Sequence, residues 1–328
     1  MTTLLTFRDN MKGFCSRYDY ILTPILKFIV AFCVFMNINA RTGYMEALNS
    51  WFIVFLLSFI CAFLPFEFIV GLGFTVIILQ AFKASLDACL IGIALILIFY
   101  FAYMRFVPKT GLIVLLVPLF YAVHLTYAIP VLLGFLVGPV AIIPAAFGLV
   151  WYDYEKELAD LVKVLATVTE DDEKVQGYLY ILKGILADKE MLLTIVVFAI
   201  VILVTYLIYR MSFEYAWVVA FVAGSILNIV CFLVGSVLLS VKIGLVPVLL
   251  ESIVGILLAI VIQFIKGVVD YQRTEILQFE DDNYYYYVKA VPKLSITVKN
   301  ENVKHINSKS NSMKIDGDEG IWKISEIL

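Results

Sequence analysis

Charged residues are scarce in this chain of 328 residues. Asp, Glu, Lys and Arg together make up 16% of it, whereas an ordinary soluble domain carries about 25%. Apolar residues take their place, at 62% against about 45–50%. A water-soluble fold of this size cannot bury so much apolar side chain. Because the mean hydropathy of +0.97 agrees, the sequence predicts an integral membrane protein.

The residues of the common catalytic and metal sites are also sparse. Histidine occurs twice, as His124 and His305, and neither lies in an HExxH motif. The five cysteines have no paired spacing, which is typical of small buried apolar residues. There is no GxSxG elbow and no phosphate-binding GxxxxGK[ST] loop. We therefore expect no enzyme activity, no cofactor and no metal site, and the net charge of −3 argues against a nucleic-acid partner.

Nine apolar segments approach the roughly 20 residues that a helix needs to cross about 30 Å of hydrocarbon. The sequence therefore predicts an all-α polytopic membrane protein with about nine transmembrane helices. Helices one to six fall within 21–151, and helices seven to nine within 191–266. The segments are 21–40, 48–64, 66–82, 86–104, 111–128, 130–150, 191–209, 215–240 and 244–265.

Lys and Arg in the short connections favour a cytoplasmic N-terminal segment, residues 1–20. The same rule places the loop 152–190 on that side. An odd helix count puts the tail outside, and an even count brings it inside with its basic residues. The sequence leaves these two alternatives open.

The 152–190 loop has apolar residues at helical spacing and predicts two short amphipathic helices. They can pack on the protein's own helices, lie on the membrane surface or dock on a partner. After Lys266, residues 267–300 predict a small β-rich tail with strands near 275–279, 284–288 and 294–298. The polar stretch 301–328 predicts a flexible terminus.

Three polar side chains within the apolar segments are candidates for a coupling role. They are Glu251, His124 and Asn228. A charge near the middle of a bilayer costs at least about 2.5–3.5 kcal/mol, so such residues normally face the bundle interior and have a partner. A proton or cation role for Glu251 competes with a role in fixing helix packing. The same alternatives apply to His124, because imidazole changes charge near neutral pH.

Prolines and glycines cluster in the fifth and sixth segments. Breaks in transmembrane helices are tolerated where protein or a polar cavity satisfies the backbone, and transporters use such breaks for binding. Gly134 and Gly138 have the GxxxG spacing of close helix packing. The helix-breaking candidates are Pro118, Pro130, Pro139 and Pro144, with Pro247 one turn before Glu251.

Two stretches, RFVPKTG at 105–111 and FEDDNYYYYVKAVPK at 279–293, are distinctive. With them the chain resembles, over most of its length, a family of uncharacterised multi-pass membrane proteins of Gram-positive anaerobic bacteria, some loosely labelled permease-like. The resemblance implies a bacterial plasma membrane. It supplies no established activity or site residues.

Two functions remain. The first is a transporter-like permease with a proton- or cation-coupled path through the helix pairs that contain Glu251 and the prolines; its substrate is unspecified. The second is a non-catalytic scaffold of a cell-envelope assembly, which recruits membrane or envelope proteins through the amphipathic loop and the tail. The tyrosine run favours the scaffold, because a strand would carry aromatic rings on both faces. That run is Tyr284, Tyr285, Tyr286 and Tyr287.

Overall fold

The computed structural model describes residues 13–15, 17–167, 177–213, 215–266, 275–281 and 284–290. The predicted strand near 294–298 and the predicted flexible terminus 301–328 lie outside these residues. So does most of the N-terminal segment.

Helices account for most of the described chain. They are α1 (Asp19–Thr42), α2 (Glu46–Asn49), α3 (Trp51–Phe63), α4 (Phe66–Ala84), α5 (Leu86–Phe99), α6 (Ile113–Ala122), α7 (Ile129–Leu136), α8 (Ile142–Thr167), α9 (Gly177–Ala187), α10 (Lys189–Tyr209), α11 (Ala216–Leu239) and α12 (Leu245–Lys266). A π-helical turn at Tyr100–Met104 extends α5, and 3₁₀ turns occur at Pro108–Thr110, Thr126–Ala128 and Pro139–Ala141. The strands are β1 (Glu275–Asp281) and β2 (Tyr284–Ala290).

Six helices of the described chain are long and apolar enough to cross a membrane: α1, α4, α5 with its π turn, α10, α11 and α12. Large apolar side chains project outward from them, and Val237 and Leu238 on α11 are 73% and 75% exposed. Such a surface requires lipid as its solvent. The fold is that of a helical, multi-pass membrane protein. The expected count of nine is not reached by helices of full length, since α3, α6 and α7 are shorter.

The predicted sixth span, 130–150, is two helices that run in opposite directions. The chain reverses at Gly138, which has a φ of +81° that glycine adopts without strain. Pro139, which has no N–H to donate, then begins a new turn. Before the break, α7 runs alongside α10 in the same direction, with Gly134 against Ile202 and Gly138 against Tyr206. After the break, α8 runs back. Hydropathy could not reveal this reversal, because both arms are equally apolar.

One end of the helix bundle, which we call the Asp153 face, carries several charged side chains. Arg41, near the end of α1, approaches Glu155 of α8 with 3.4 Å between Nη1 and Oε2. Lys156 of α8 pairs with Asp188, the N-cap of α10, over 3.0 Å. Therefore α1 ends, α8 emerges and α10 begins at this face.

The opposite end, the Lys266 face, is where α10 and α12 finish together. The Tyr209 hydroxyl donates to Gln263 Oε1 over 3.2 Å, and Lys266 lies over the Phe135 ring. Because α1 ends at the Asp153 face, it begins at Asp19 on the Lys266 face. The N-terminal helix thus starts on the side from which the tail leaves, and residues 152–167 and 177–190 lie on the other side. This differs from the predicted topology because 130–150 crosses twice.

The described part of the tail is an antiparallel hairpin. Its register pairs Glu275 with Ala290 and Asp281 with Tyr284, so the turn is short. Tyr285 and Tyr287 are two positions apart on β2 and therefore share one face of the strand. Their exposed fractions are 68% and 71%.

Candidate functional site

The connection between α6 and α7 is an interrupted helix. After α6 ends at Ala122, His124 adopts a left-handed backbone conformation with φ of 53°. The 3₁₀ turn Thr126–Ala128 follows, and Pro130 lies at the start of α7, where its missing N–H costs no helical hydrogen bond. Backbone groups of Tyr127 are thereby left for partners on other helices.

Glu251 and Asn228, two of the predicted coupling residues, supply those partners. The Tyr127 N–H donates to Glu251 Oε2 over 2.9 Å, and Asn228 Nδ2 donates to the Tyr127 carbonyl over 2.9 Å. Asn228 Nδ2 also donates to Ser252 Oγ over 3.1 Å. All three side chains are buried. Residues from α11 and α12 therefore satisfy both polar groups of one residue in the helix break.

More buried polar groups continue from this point toward the Lys266 face. Within the described chain, Asn228 Oδ1, Ser225 Oγ and Thr205 Oγ1 are buried without a hydrogen-bond partner. Ser225 lies one turn from Asn228 on α11, and Thr205 faces Gly224 across the α10–α11 interface. We call Glu251, Ser252, Asn228, Ser225 and Thr205 the polar column.

The polar column covers about half of the bundle's depth. Glu251 is six residues, or about 9 Å, into α12 from the Asp153 face, and Thr205 is four residues, or about 6 Å, from the end of α10 at the Lys266 face. Around it the helices are tightly packed. A Cβ on Gly134 would meet Ile202 O and Thr205 Cβ at 2.9 Å each. The column is therefore a closed seam of polar atoms.

The other predicted residues have varied positions. His124 is exposed and forms no part of the polar column. Pro118 lies inside α6, and the carbonyl of Val114 that its ring leaves unbonded faces Gly148 of α8. Pro144 and Pro247 lie in the first turns of α8 and α12, where proline fits without breaking a helix.

A second polar cluster, which sequence reasoning missed, lies at the Asp153 face between α6, α8 and α10. It encloses a small cavity of about 80 Å³. Its lining comprises Tyr121, Leu149, Tyr152, Asp153, Lys156, Asp188, Glu190 and Met191. The sequence feature that marks this cluster is the acidic character of 152–190. Without knowledge of the chain reversal at Gly138, that character predicts a solvated loop.

Asp153 is the most deeply buried carboxyl of the cavity, with 5% of its surface exposed. Its Oδ2 has no hydrogen-bond partner among the described residues. Burial raises the pKa of Asp153 to about 7, the charge of Asp188 adds to the rise, and Lys156 opposes it. Asp153 is therefore poised between its charged and neutral forms near neutral pH.

Glu155 is buried as completely and points toward α1. Burial raises its pKa to about 7, although the Arg41 guanidinium acts to lower the pKa. Arg41 also lies 4.1 Å from the centre of the Tyr152 ring, whose centroid is 3.8 Å from that of Tyr121 in a stacked pair. This stack closes one side of the cavity. The contact with Arg41 shows that the Tyr152 ring accommodates a cation on one face.

Tyr127 joins the two clusters. Its main chain contacts the polar column, and its phenol lies close enough to Glu190 and Glu251 for both charges to act on it. The cavity at the Asp153 face and the polar column are therefore neighbours. In the parts of the chain that the structure describes, no three His, Cys, Asp or Glu side chains are arranged to hold one metal ion.

Two larger cavities lie on the outer surface of the bundle. One, of about 520 Å³ between α4 and α5, has Glu67 as its only ionisable carboxylate and is otherwise lined by apolar and aromatic side chains with Thr75. Its composition suits lipid chains and offers no polar constellation.

Comparison with known proteins gives no relative: no family model, no curated protein and no solved structure matches this chain. The family resemblance noted from residues 105–111 and 279–293 stays a prediction.

Proposed function

We propose that this protein is a proton-coupled, permease-like transporter in which Glu251 binds the coupling proton. The observation that carries the proposal is the hydrogen bond that the buried Glu251 carboxylate accepts from the Tyr127 N–H. Tyr127 lies where the helix is interrupted between α6 and α7. Ionisable groups are rare inside membranes and there mark ion and proton pathways. Interrupted helices that meet such groups are a recurrent feature of transporter binding sites.

The buried acceptors of the polar column support a proton over a larger coupling ion. Asn228 Oδ1 is an acceptor in need of a donor, and a protonated carboxyl or a water molecule supplies one. Among the described residues, the close helix contacts at Gly134 and Gly224 leave no space for a pore at these two points of the column. Asn228 Oδ1, Ser225 Oγ and Thr205 Oγ1 have no hydrogen-bond partner among the described residues, so a proton crosses the column with water molecules that link these groups, whereas a larger solute requires the helices to separate.

We further propose a bacterial plasma membrane as the site of action, with the N-terminus in the cytoplasm. The membrane class follows from the six apolar helices. The compartment follows from the family resemblance, and the orientation from the basic residues near the N-terminus.

Proton flux into liposomes tests the proposal without a known substrate. A potassium gradient with valinomycin drives protons inward, and an internal pH-sensitive dye reports their entry. We expect protein-dependent acidification with the wild type and its loss in Glu251→Gln. Glu67→Gln is the matched control, because Glu67 is a carboxylate on α4 that faces the apolar surface cavity.

Two results contradict the proposal. If liposomes with the wild-type protein acidify no faster than empty ones, the protein has no proton path under these conditions. Equal flux in wild type and Glu251→Gln would remove Glu251 from it. Correct folding of each variant is checked by size-exclusion chromatography before reconstitution.

The exposed tyrosines of the hairpin favour a second candidate, the membrane scaffold. Tyr285 and Tyr287 present two large rings on one strand face, and tyrosine is enriched at protein interfaces. A pull-down with the full chain and with residues 267–328 deleted tests this function. A partner lost with the deletion supports the scaffold, and unchanged proton flux without the tail separates it from transport.

A further inference from the structure

The cavity at the Asp153 face has the properties of a binding site that the proton path does not use. It is a defined space of about 80 Å³, lined on three sides by α6, α8 and α10. Asp153 lines it, and the Oδ2 atom of this buried carboxyl has no hydrogen-bond partner within the described residues. A buried carboxylate oxygen without a donor is costly, so a ligand that satisfies it gains affinity.

Charge decides which ligand fits. Lys156 is the only basic side chain of the lining and is held by Asp188 over 3.0 Å. That pair is neutral overall, so Glu190, joined by Asp153 once its carboxyl loses the proton, leaves the cavity with an excess of negative charge. The Arg41 guanidinium and the Tyr121 ring occupy the two faces of Tyr152, so the stack closes this wall and the charge of the lining decides the ligand. The cavity is thus complementary to a small cation and repels an anion.

We propose that this cavity binds one small monovalent cation, an alkali ion or a small primary ammonium, between Asp153 and Glu190. The bound cation replaces the proton of the neutral Asp153 carboxyl, and that proton leaves to the solvent. The exchange is balanced: one positive charge enters as one leaves.

The electrostatic surroundings of Asp153 agree with such an exchange. With a pKa raised to about 7, the carboxyl is mostly protonated at pH 6 and mostly ionised at pH 8. From α6 the uncharged Tyr121 faces the cavity, and from α1 the nearby Arg41 is held by Glu155. Four charged side chains act directly on Asp153, two from α8 and two from the start of α10: Lys156, Glu157, Asp188 and Glu190.

Cation binding is measured on the full-length protein in detergent. NaCl, KCl and methylammonium chloride are titrated separately at constant ionic strength, with choline chloride as the balancing salt. Two readouts are recorded at pH 6.5: the thermal unfolding temperature, and proton release in weakly buffered solution. We expect one of the three small cations to raise the unfolding temperature and to release about one proton per bound cation.

Substitutions assign the effect to the cavity. Asp153→Asn should weaken cation binding about tenfold or more and abolish proton release, since the exchanging carboxyl is gone. Glu190→Gln, an exposed position at the start of α10, should weaken binding with proton release retained. This second variant serves if Asp153→Asn fails to fold. Asp160→Asn is the control, because Asp160 lies on the same helix in an exposed pair with Lys163.

Each outcome identifies the ligand or rejects the site. Selectivity for sodium or potassium identifies the ligand as an alkali ion, and selectivity for methylammonium identifies it as an amine. Equal effects of all salts, choline included, would overturn the proposal, as would unaltered binding in both Asp153→Asn and Glu190→Gln. Glu251→Gln should retain cation binding, so failure of the proton path and failure of this site are distinguishable.

Discussion

The backbone N–H of Tyr127 donates to the Glu251 carboxylate over 2.9 Å, although 124 positions separate the two residues in sequence. This bond ties the interrupted segment between α6 and α7 to α12. Asn228 holds the other side of the same residue through the Tyr127 carbonyl. The interruption is therefore fixed from two helices, which gives it a definite shape that mutation can disturb.

Replacement of Asn228 by Leu should destabilise the protein. The variant leaves the Tyr127 carbonyl without its donor and removes the bond to Ser252, and an unsatisfied buried acceptor costs about 1–3 kcal/mol. Thermal unfolding in detergent measures the loss. Ser236→Leu on the same helix is the comparison, since its hydroxyl bonds locally to the Leu233 carbonyl. Equal unfolding temperatures for the two variants would show that Asn228 does not hold the break.

A second prediction concerns the reversal at Gly138. Gly138→Ala should lower the free energy of unfolding by about 1–3 kcal/mol, because its φ of 81° and ψ of −158° lie in a region that is essentially restricted to glycine. The new methyl group would also meet the Tyr206 ring at 2.8 Å. Gly71→Ala is the matched control, because a methyl group on Gly71 in α4 would meet no atom within 4 Å and alanine is the better helix former. A tolerated Gly138→Ala would contradict the reversal.

The polar column was partly predictable from sequence. Glu251 and Asn228 stand out because polar residues are rare in apolar segments, and burial of both follows from the cost of exposing them to lipid. Their common partner was not predictable, since main-chain groups of Tyr127 leave no sequence signal. Ser225 and Thr205 escape notice for a different reason. Hydroxyl side chains are frequent in transmembrane helices and usually bond to their own backbone.

The cavity at the Asp153 face depends on topology, which hydropathy does not report. Length and composition give the number of apolar residues but not the direction of the chain within them. Once 130–150 is counted as one span, Asp153 belongs to a loop on the side of the N-terminus. Gly138 and Pro139 are the signal for two arms, but Gly138 also forms a GxxxG motif with Gly134, which fits close packing of a single helix equally well.

Cysteine labelling tests the arrangement of the two faces. Cys15 and a Tyr287→Cys tail variant should react with a membrane-impermeant maleimide from the same side, and Leu186→Cys on α9 from the other side. The background carries Cys33→Ala and Cys231→Ala, while the buried Cys61 and Cys89 are kept. Sealed and permeabilised vesicles are compared. Labelling of Cys15 and Leu186→Cys from one side would show that 130–150 crosses once.

The buried carboxyls of α8 predict an unusual dependence of stability on pH. Burial raises the pKa of both Asp153 and Glu155 to about 7, whereas in the unfolded chain these groups titrate near 4. Between about pH 4 and 7 the folded protein therefore holds protons that the unfolded chain releases. The free energy of unfolding is greatest below that window and falls as pH rises through it, by about 4 kcal/mol for each group.

Thermal unfolding of the wild type in detergent from pH 4 to pH 8 measures this slope. Asp153→Asn should remove about half of it, because an amide does not titrate and Glu155 still does. Asp160→Asn should keep the full slope, since that carboxylate is exposed beside Lys163 on the outer side of α8. Stability that rises with pH between 4 and 7 would mean that ion pairing with Arg41 and Lys156 outweighs burial. In that case Asp153 would be ionised at neutral pH, and cation binding would release no proton.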